Sequence, residues 1–161
     1  MRLPVSADHA AHWRGPLYPT GTSIVVAAPA SHANDGSYPL SCYSVDAAGN
    51  VEATKSVTVR IDTVGPTTSG KAASGLHRHA ITLRYCVSDK LSPKATSVVL
   101  VVKNRRGKVA KSFSLGAKTA RVWYRVKWAP TARGTYTYVT QAKDLAGNKQ
   151  SKAVAARVVV R

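Results

Sequence analysis

The sequence predicts an all-β protein, an antiparallel β-sandwich preceded by a shorter β module, and three observations carry that reading. Apolar residues alternate with polar ones at a spacing of two through much of the chain, as on a strand with one buried face. One strand-and-turn pattern occurs twice at a fixed offset. No stretch carries the periodicity of an amphipathic helix of useful length. The chain has 161 residues, 44% of them hydrophobic, which is enough to bury a core in one large or two small domains.

The elements follow in order. Strands are expected near Ser23–Ala28, over Ser37–Val45, where Tyr38, Leu40, Cys42 and Ser44 share a side, and over Thr54–Ile61. In the second part Ile81, Leu83, Tyr85 and Val87 alternate with Thr82, Arg84, Cys86 and Ser88. Then come the apolar run Val98–Val102, the pair Val109 and Phe113, and a strand through Ala120, Val122, Tyr124, Val126 and Trp128. Lys103-Asn104-Arg105-Arg106-Gly107-Lys108 reads as a hairpin tip, with Gly107 supplying the turn. Tyr136, Tyr138, Thr140 and Ala142 share one side of a further strand, and Val154–Val160 closes the set.

Shifted by 98 residues, Gly36, Tyr38, Asp46, Ala48, Gly49 and Asn50 fall on Gly134, Tyr136, Asp144, Ala146, Gly147 and Asn148. Both copies read Gly-[Ser/Thr]-Tyr, seven residues, then Asp-x-Ala-Gly-Asn. The Gly-Asn pair tolerates positive φ and the aspartate can accept from nearby backbone N–H groups, so the chain reverses into another strand. Gly134-Thr-Tyr136 leading to Asp144-Leu-Ala-Gly-Asn148, and Tyr43-Ser-Val-Asp-Ala-Ala-Gly-Asn50 followed by Ser56-Val-Thr-Val-Arg-Ile-Asp62, resemble the last two strands of bacterial immunoglobulin-like and fibronectin type III-like modules. His12-Trp13-Arg14-Gly15-Pro16 is similar to a Trp-x-Gly-Pro stretch that lies mid-module in some of them. The resemblance implies tandem modules of secreted and surface proteins, and for Tyr38 and Tyr136 a corner tyrosine whose hydroxyl bonds back to the backbone.

Val64-Gly65-Pro66-Thr67-Thr68-Ser69-Gly70 reads as an exposed linker, which sets the boundary. Residues 64–161 are then expected to form a complete, basic Ig-like sandwich and residues 1–63 an incomplete Ig-like module holding only C-terminal strands. Within its segment the second copy has about 70 residues, 64–133, before Gly134, whereas the first has 35 before Gly36, so the first module is short by several strands. That predicts a piece of a longer surface protein; the other reading is a natural capping module docked on its neighbour.

Charge separates the same two segments. Residues 1–63 hold four Lys and Arg against five acids, whereas residues 64–161 hold the other 20 against Asp89 and Asp144 alone. Carboxylates for acid–base chemistry are scarce, and neither a phosphate loop before a helix nor a nucleophile elbow is present. The second segment has too few carboxylates for calcium, and the pairs His9/His12 and His77/His79 lack companions at ligand spacing. No catalytic, cofactor-binding or metal-binding residue is therefore expected, and no small-molecule substrate. Cys42 and Cys86 permit at most one disulfide and read as free thiols. No apolar run reaches the length of a membrane span, and the first 17 residues lack a secretion-signal layout.

The basic surplus attracts polyanions by counterion release. Lys103, Arg105, Arg106 and Lys108 cluster on the hairpin, and Arg121, Arg125 and Lys127 fall on one strand face with Trp123, which could stack on a sugar or a base. The opposite assignment buries Trp123 and exposes Trp128, and the plain alternative for the charge is solubility. The expectation is a non-enzymatic extracellular module pair, a spacer or adhesion element whose partners are neighbouring Ig-like modules. Electrostatic binding of an anionic cell-surface polymer, acidic polysaccharide or nucleic acid is the second reading, and an accessory role beside an upstream carbohydrate-active or proteolytic enzyme the third.

Overall fold

A computed structural model describes residues 27–161, which are all β among the described residues and divide into two compact units after Thr63. The expected strand at Ser23–Ala28 and the residues His9, His12 and Trp13 lie wholly or mostly outside the described residues. Ala27 and Ala28 are not in a strand.

In the first unit β1 (Gly36–Cys42) and β2 (Lys55–Ile61) form an antiparallel hairpin. Tyr38 stands opposite Val59 and Leu40 opposite Val57, so the apolar alternation of both strands meets on one face. Ile61 is buried while Val57 stays largely exposed.

The second unit, Val64–Arg161, contains eight strands in two layers. They are β3 (Thr67–Lys71), β4 (Ala73–Gly75), β5 (Ile81–Ser88), β6 (Lys94–Asn104), β7 (Val109–Thr119), β8 (Trp123–Trp128), β9 (Gly134–Asp144) and β10 (Ala155–Val160). One sheet has the order β3-β5-β8 and the other β4-β10-β9-β6-β7; pairing is antiparallel except between β4 and β10. The inward residues of the two sheets make one core, including Leu83, Tyr85, Val87, Val98, Leu100, Val102, Tyr138 and Val158, as period-two alternation requires.

Two local readings of the sequence need correction. The stretch Val64–Gly70 is not an exposed linker: Pro66 and Thr68 are buried and Thr67 onward is strand β3. Thr68 donates its hydroxyl to the Thr140 carbonyl at 2.7 Å, so this strand enters the sandwich through hydrogen bonding rather than apolar side chains. Gly70 is required there, because a Cβ would stand 2.9 Å from the Ala156 Cβ and from the Tyr138 ring. The strand expected from Ala120 starts only at Trp123, since Arg121 has φ 63° and belongs to the turn after β7.

Candidate functional site

The twice-repeated turn is built the same way in each unit. In the first, Asp46 Oδ1 accepts from the N–H groups of Ala48 and Asn50, each at 2.9 Å, and Oδ2 accepts from the Asn50 side chain at 2.7 Å. These bonds, that of the Asn50 side chain foremost, hold the Asp46 carboxyl below its ordinary value of 3.8. In the second, Asp144 accepts from the Asn148 N–H at 2.8 Å and from its side chain at 2.9 Å. Gly49 and Gly147 have φ 90° and 95°, which explains glycine at both. Tyr38 donates to the Asn34 carbonyl at 2.9 Å and Tyr136 to that of Ala132 at 3.1 Å, each four residues back. Each of these groups takes part in holding the chain.

The basic residues are distributed differently from the sequence picture. Lys103, Arg105, Arg106 and Lys108 are exposed around the β6–β7 tip, which Gly107 (φ 79°) and the Asn104 side chain shape. Asn104 Oδ1 accepts from the N–H groups of Arg106 and Lys108, both at 3.0 Å. Arg125 and Lys127 are exposed on the outer face of β8, with Trp123 46% exposed beside them and Trp128 buried. Arg121 is not on that face; its guanidinium donates to the carbonyls of Asp89 and Lys90.

Two bases that sequence reasoning passed over complete the face. Lys71 of β3 pairs with Arg84 of β5, and Arg84 pairs with Arg125 of β8. Residues directly opposite in an antiparallel pair point the same way, so three exposed cations stand in one row across the whole three-stranded sheet. The neighbouring row is Ser69, Cys86 and Trp123, and Thr82 stands beside Lys127. The Lys71 ammonium lies 4.7 Å from the centre of the Trp123 ring, reaching over the middle strand; the contact is worth about 0.5–1 kcal/mol at an exposed site.

This row is held from below. Tyr138, in the opposite sheet, places its hydroxyl 2.7 Å from the Lys71 carbonyl and 2.6 Å from that of Arg84, so one proton is shared between two strands at the two positions that bear the bases. Burial pushes the Tyr138 hydroxyl up, and that of Tyr85 up to about 12.

Counter-charge within the second unit is scarce. Asp89 accepts from the N–H groups of Leu91 and Ser92, and Asp144 is buried in its turn. The first unit holds carboxylate contacts to basic side chains, His32 with Asp35 and Lys55 with Glu52. Lys127 also lines a cleft of about 360 Å³ between the β7 and β8 edges, together with Lys111, Phe113, Trp128 and Tyr136. The hairpin and the β8 bases therefore belong to different sheets, with Lys111 and Lys127 facing the cleft between them. Cys42 and Cys86 are free.

A family model described as bacterial Ig-like domain matches residues 16–63 and 87–160. The chain belongs to the bacterial Ig-like domain family. Modules of this family are typically non-catalytic. No curated protein matches the chain in sequence. Among solved structures, this Ig-like chain is similar to the PKD domain of an M14-like peptidase from Thermoplasmatales archaeon SCGC AB-540-F20, at 14% identity and TM-score 0.44, over 62% of this chain and 98% of that one. It is similar to dimeric latent PorU from Porphyromonas gingivalis at 15% identity and TM-score 0.44, over 79% of this chain but only 12% of PorU. A CARDB domain from Pyrococcus furiosus is similar at 17% identity and TM-score 0.37, over 59% of this chain and 91% of that one. Among the described residues no helix is long and apolar enough to cross a membrane.

Proposed function

We propose that this Ig-like chain is a spacer or adhesion element of a larger secreted or cell-surface protein, an incomplete module followed by a complete one. The supporting observation is the same aspartate-built turn and the same corner-tyrosine bond in both units, 98 residues apart, which is how modular arrays repeat. The side chains singled out by the repeat are engaged in structure, which leaves the role to surfaces and reach. An antibody raised against the second unit should label intact producing cells or their culture medium. Labelling confined to lysed cells overturns the extracellular reading.

The crowding of 20 bases against two acids in residues 64–161, with both acids tied into loops, favours a second reading: electrostatic binding of an anionic polymer by the second unit. Its affinity should fall steeply as salt rises from about 50 to 200 mM, through counterion release. An affinity indifferent to salt overturns it.

A further inference from the structure

We propose that the outer face of the β3-β5-β8 sheet is the binding surface and that its ligand is a linear acidic polysaccharide; this rests on the polyanion reading above. Like charges directly opposite across strands destabilise a sheet, and here Lys71, Arg84 and Arg125 stand opposite one another on three successive strands. An anionic chain laid across the strands relieves that repulsion.

The rest of the face selects the kind of anion. Strands are spaced about 4.8 Å apart, so the row offers one cation per strand at roughly the length of one sugar ring. Exposed hydroxyls of Ser69 and Thr82 flank the bases and suit sugar hydroxyls, and that of Thr67, which donates to the Ser88 carbonyl, can still accept. Trp123 supplies one aromatic surface at the end of the adjacent row; the Lys71 ammonium lies over that ring, and a sugar stacking on the same face displaces it, at a cost of about 0.5–1 kcal/mol, to meet the sugar's carboxylate. Single-stranded nucleic acid is bound by several aromatics on which successive bases stack, and this face has one. Apart from Trp123 the exposed side chains named here are basic or hydroxylic, which does not suit insertion into lipid.

The test uses the full chain with polygalacturonate, neutral dextran and oligo(dT) as probes, in low salt. Polygalacturonate should bind and raise the melting temperature, and dextran should not. Arg84→Gln/Arg125→Gln should weaken polygalacturonate about tenfold and lower the salt slope by about two. The same variant, without ligand, should melt about 2–5 °C higher, because the opposed charges are gone. Trp123→Ala should weaken binding while leaving the salt slope unchanged. Lys90→Gln/Lys152→Gln, which removes as much charge elsewhere, should bind like wild type; an equal loss there means diffuse attraction and overturns the site. A larger loss from Arg105→Gln/Arg106→Gln than from the face variant moves the site to the hairpin, overturning the placement while the polyanion reading stands. Tight oligo(dT) binding without polygalacturonate binding overturns the sugar assignment alone. If none of the anionic probes binds, the polyanion reading fails together with this one.

Discussion

Tyr138→Ala should cost the second unit about 3–5 kcal/mol, against about 1–2 kcal/mol for Tyr138→Phe. The ring is fully buried between the sheets, and the room for it exists because position 70 is glycine. Alanine leaves a cavity and two carbonyls without their donor, whereas phenylalanine leaves only the carbonyls. Domains of this size are stable by about 5–15 kcal/mol, so the alanine variant spends much of that margin and its thermal midpoint should drop by well over 10 °C. Denaturant unfolding of both variants checks the ratio. Equal losses would falsify the view that ring packing dominates at this position. A pH dependence follows from the same burial. The Tyr85 hydroxyl is raised from 10.0 to about 12 and that of Tyr138 is raised as well. The folded unit therefore keeps protons that the unfolded chain releases above about pH 10, and the contribution of these tyrosines to stability should be level below pH 10 and decline between pH 10 and about 12. Tyr138→Phe should make that decline shallower.

What the sequence disclosed and what it hid divide along a physical line. Strands with a buried apolar side every second residue, such as Ile81–Ser88 and Gly134–Asp144, announce themselves by alternation. The Asp-x-Ala-Gly-Asn turns do so because their chemistry is local. Strand β3 is hidden because Thr-Thr-Ser-Gly-Lys enters the sheet through the Thr68 hydroxyl and a gap that accommodates Tyr138, both set by residues some 70 positions away. Edge strand β7 carries only Phe113 and Leu115 inward, while Val109 is 54% exposed, so its alternation is weak and its length is invisible. The basic face was half legible for the same reason. Arg125, Lys127 and Trp123 share a side by alternation within one strand. That Lys71 and Arg84 stand in register with Arg125 depends on strand order, which no local pattern encodes. Arg121 falls off that side because its positive φ breaks the alternation, which no spacing of residue types reveals.

The repeated turn permits an internal comparison, because one chemistry occurs in two environments. Asp144 is 1% exposed, so Asp144→Ala removes the two bonds that it accepts from the half-buried Asn148 at a place where water replaces the lost oxygen poorly. A loss of about 2–3 kcal/mol is expected in the second unit. Asp46 makes the equivalent bonds in full contact with water, which can replace the carboxylate at each donor. Asp46→Ala should therefore open the turn locally, with faster hydrogen exchange at Ala48 and Asn50, and leave global unfolding nearly unchanged. Acid should reproduce the Asp46 effect in the wild type. A carboxyl held below its unfolded value contributes its full stabilisation above that value and loses it as pH falls through the folded one. Exchange at Asn50, corrected for intrinsic rate, should thus be flat at neutral pH and accelerate only below about pH 3.8, the ordinary value. Comparable global losses for the two alanine variants would mean that burial does not govern the worth of this turn, and that the first unit depends on it as heavily as the second.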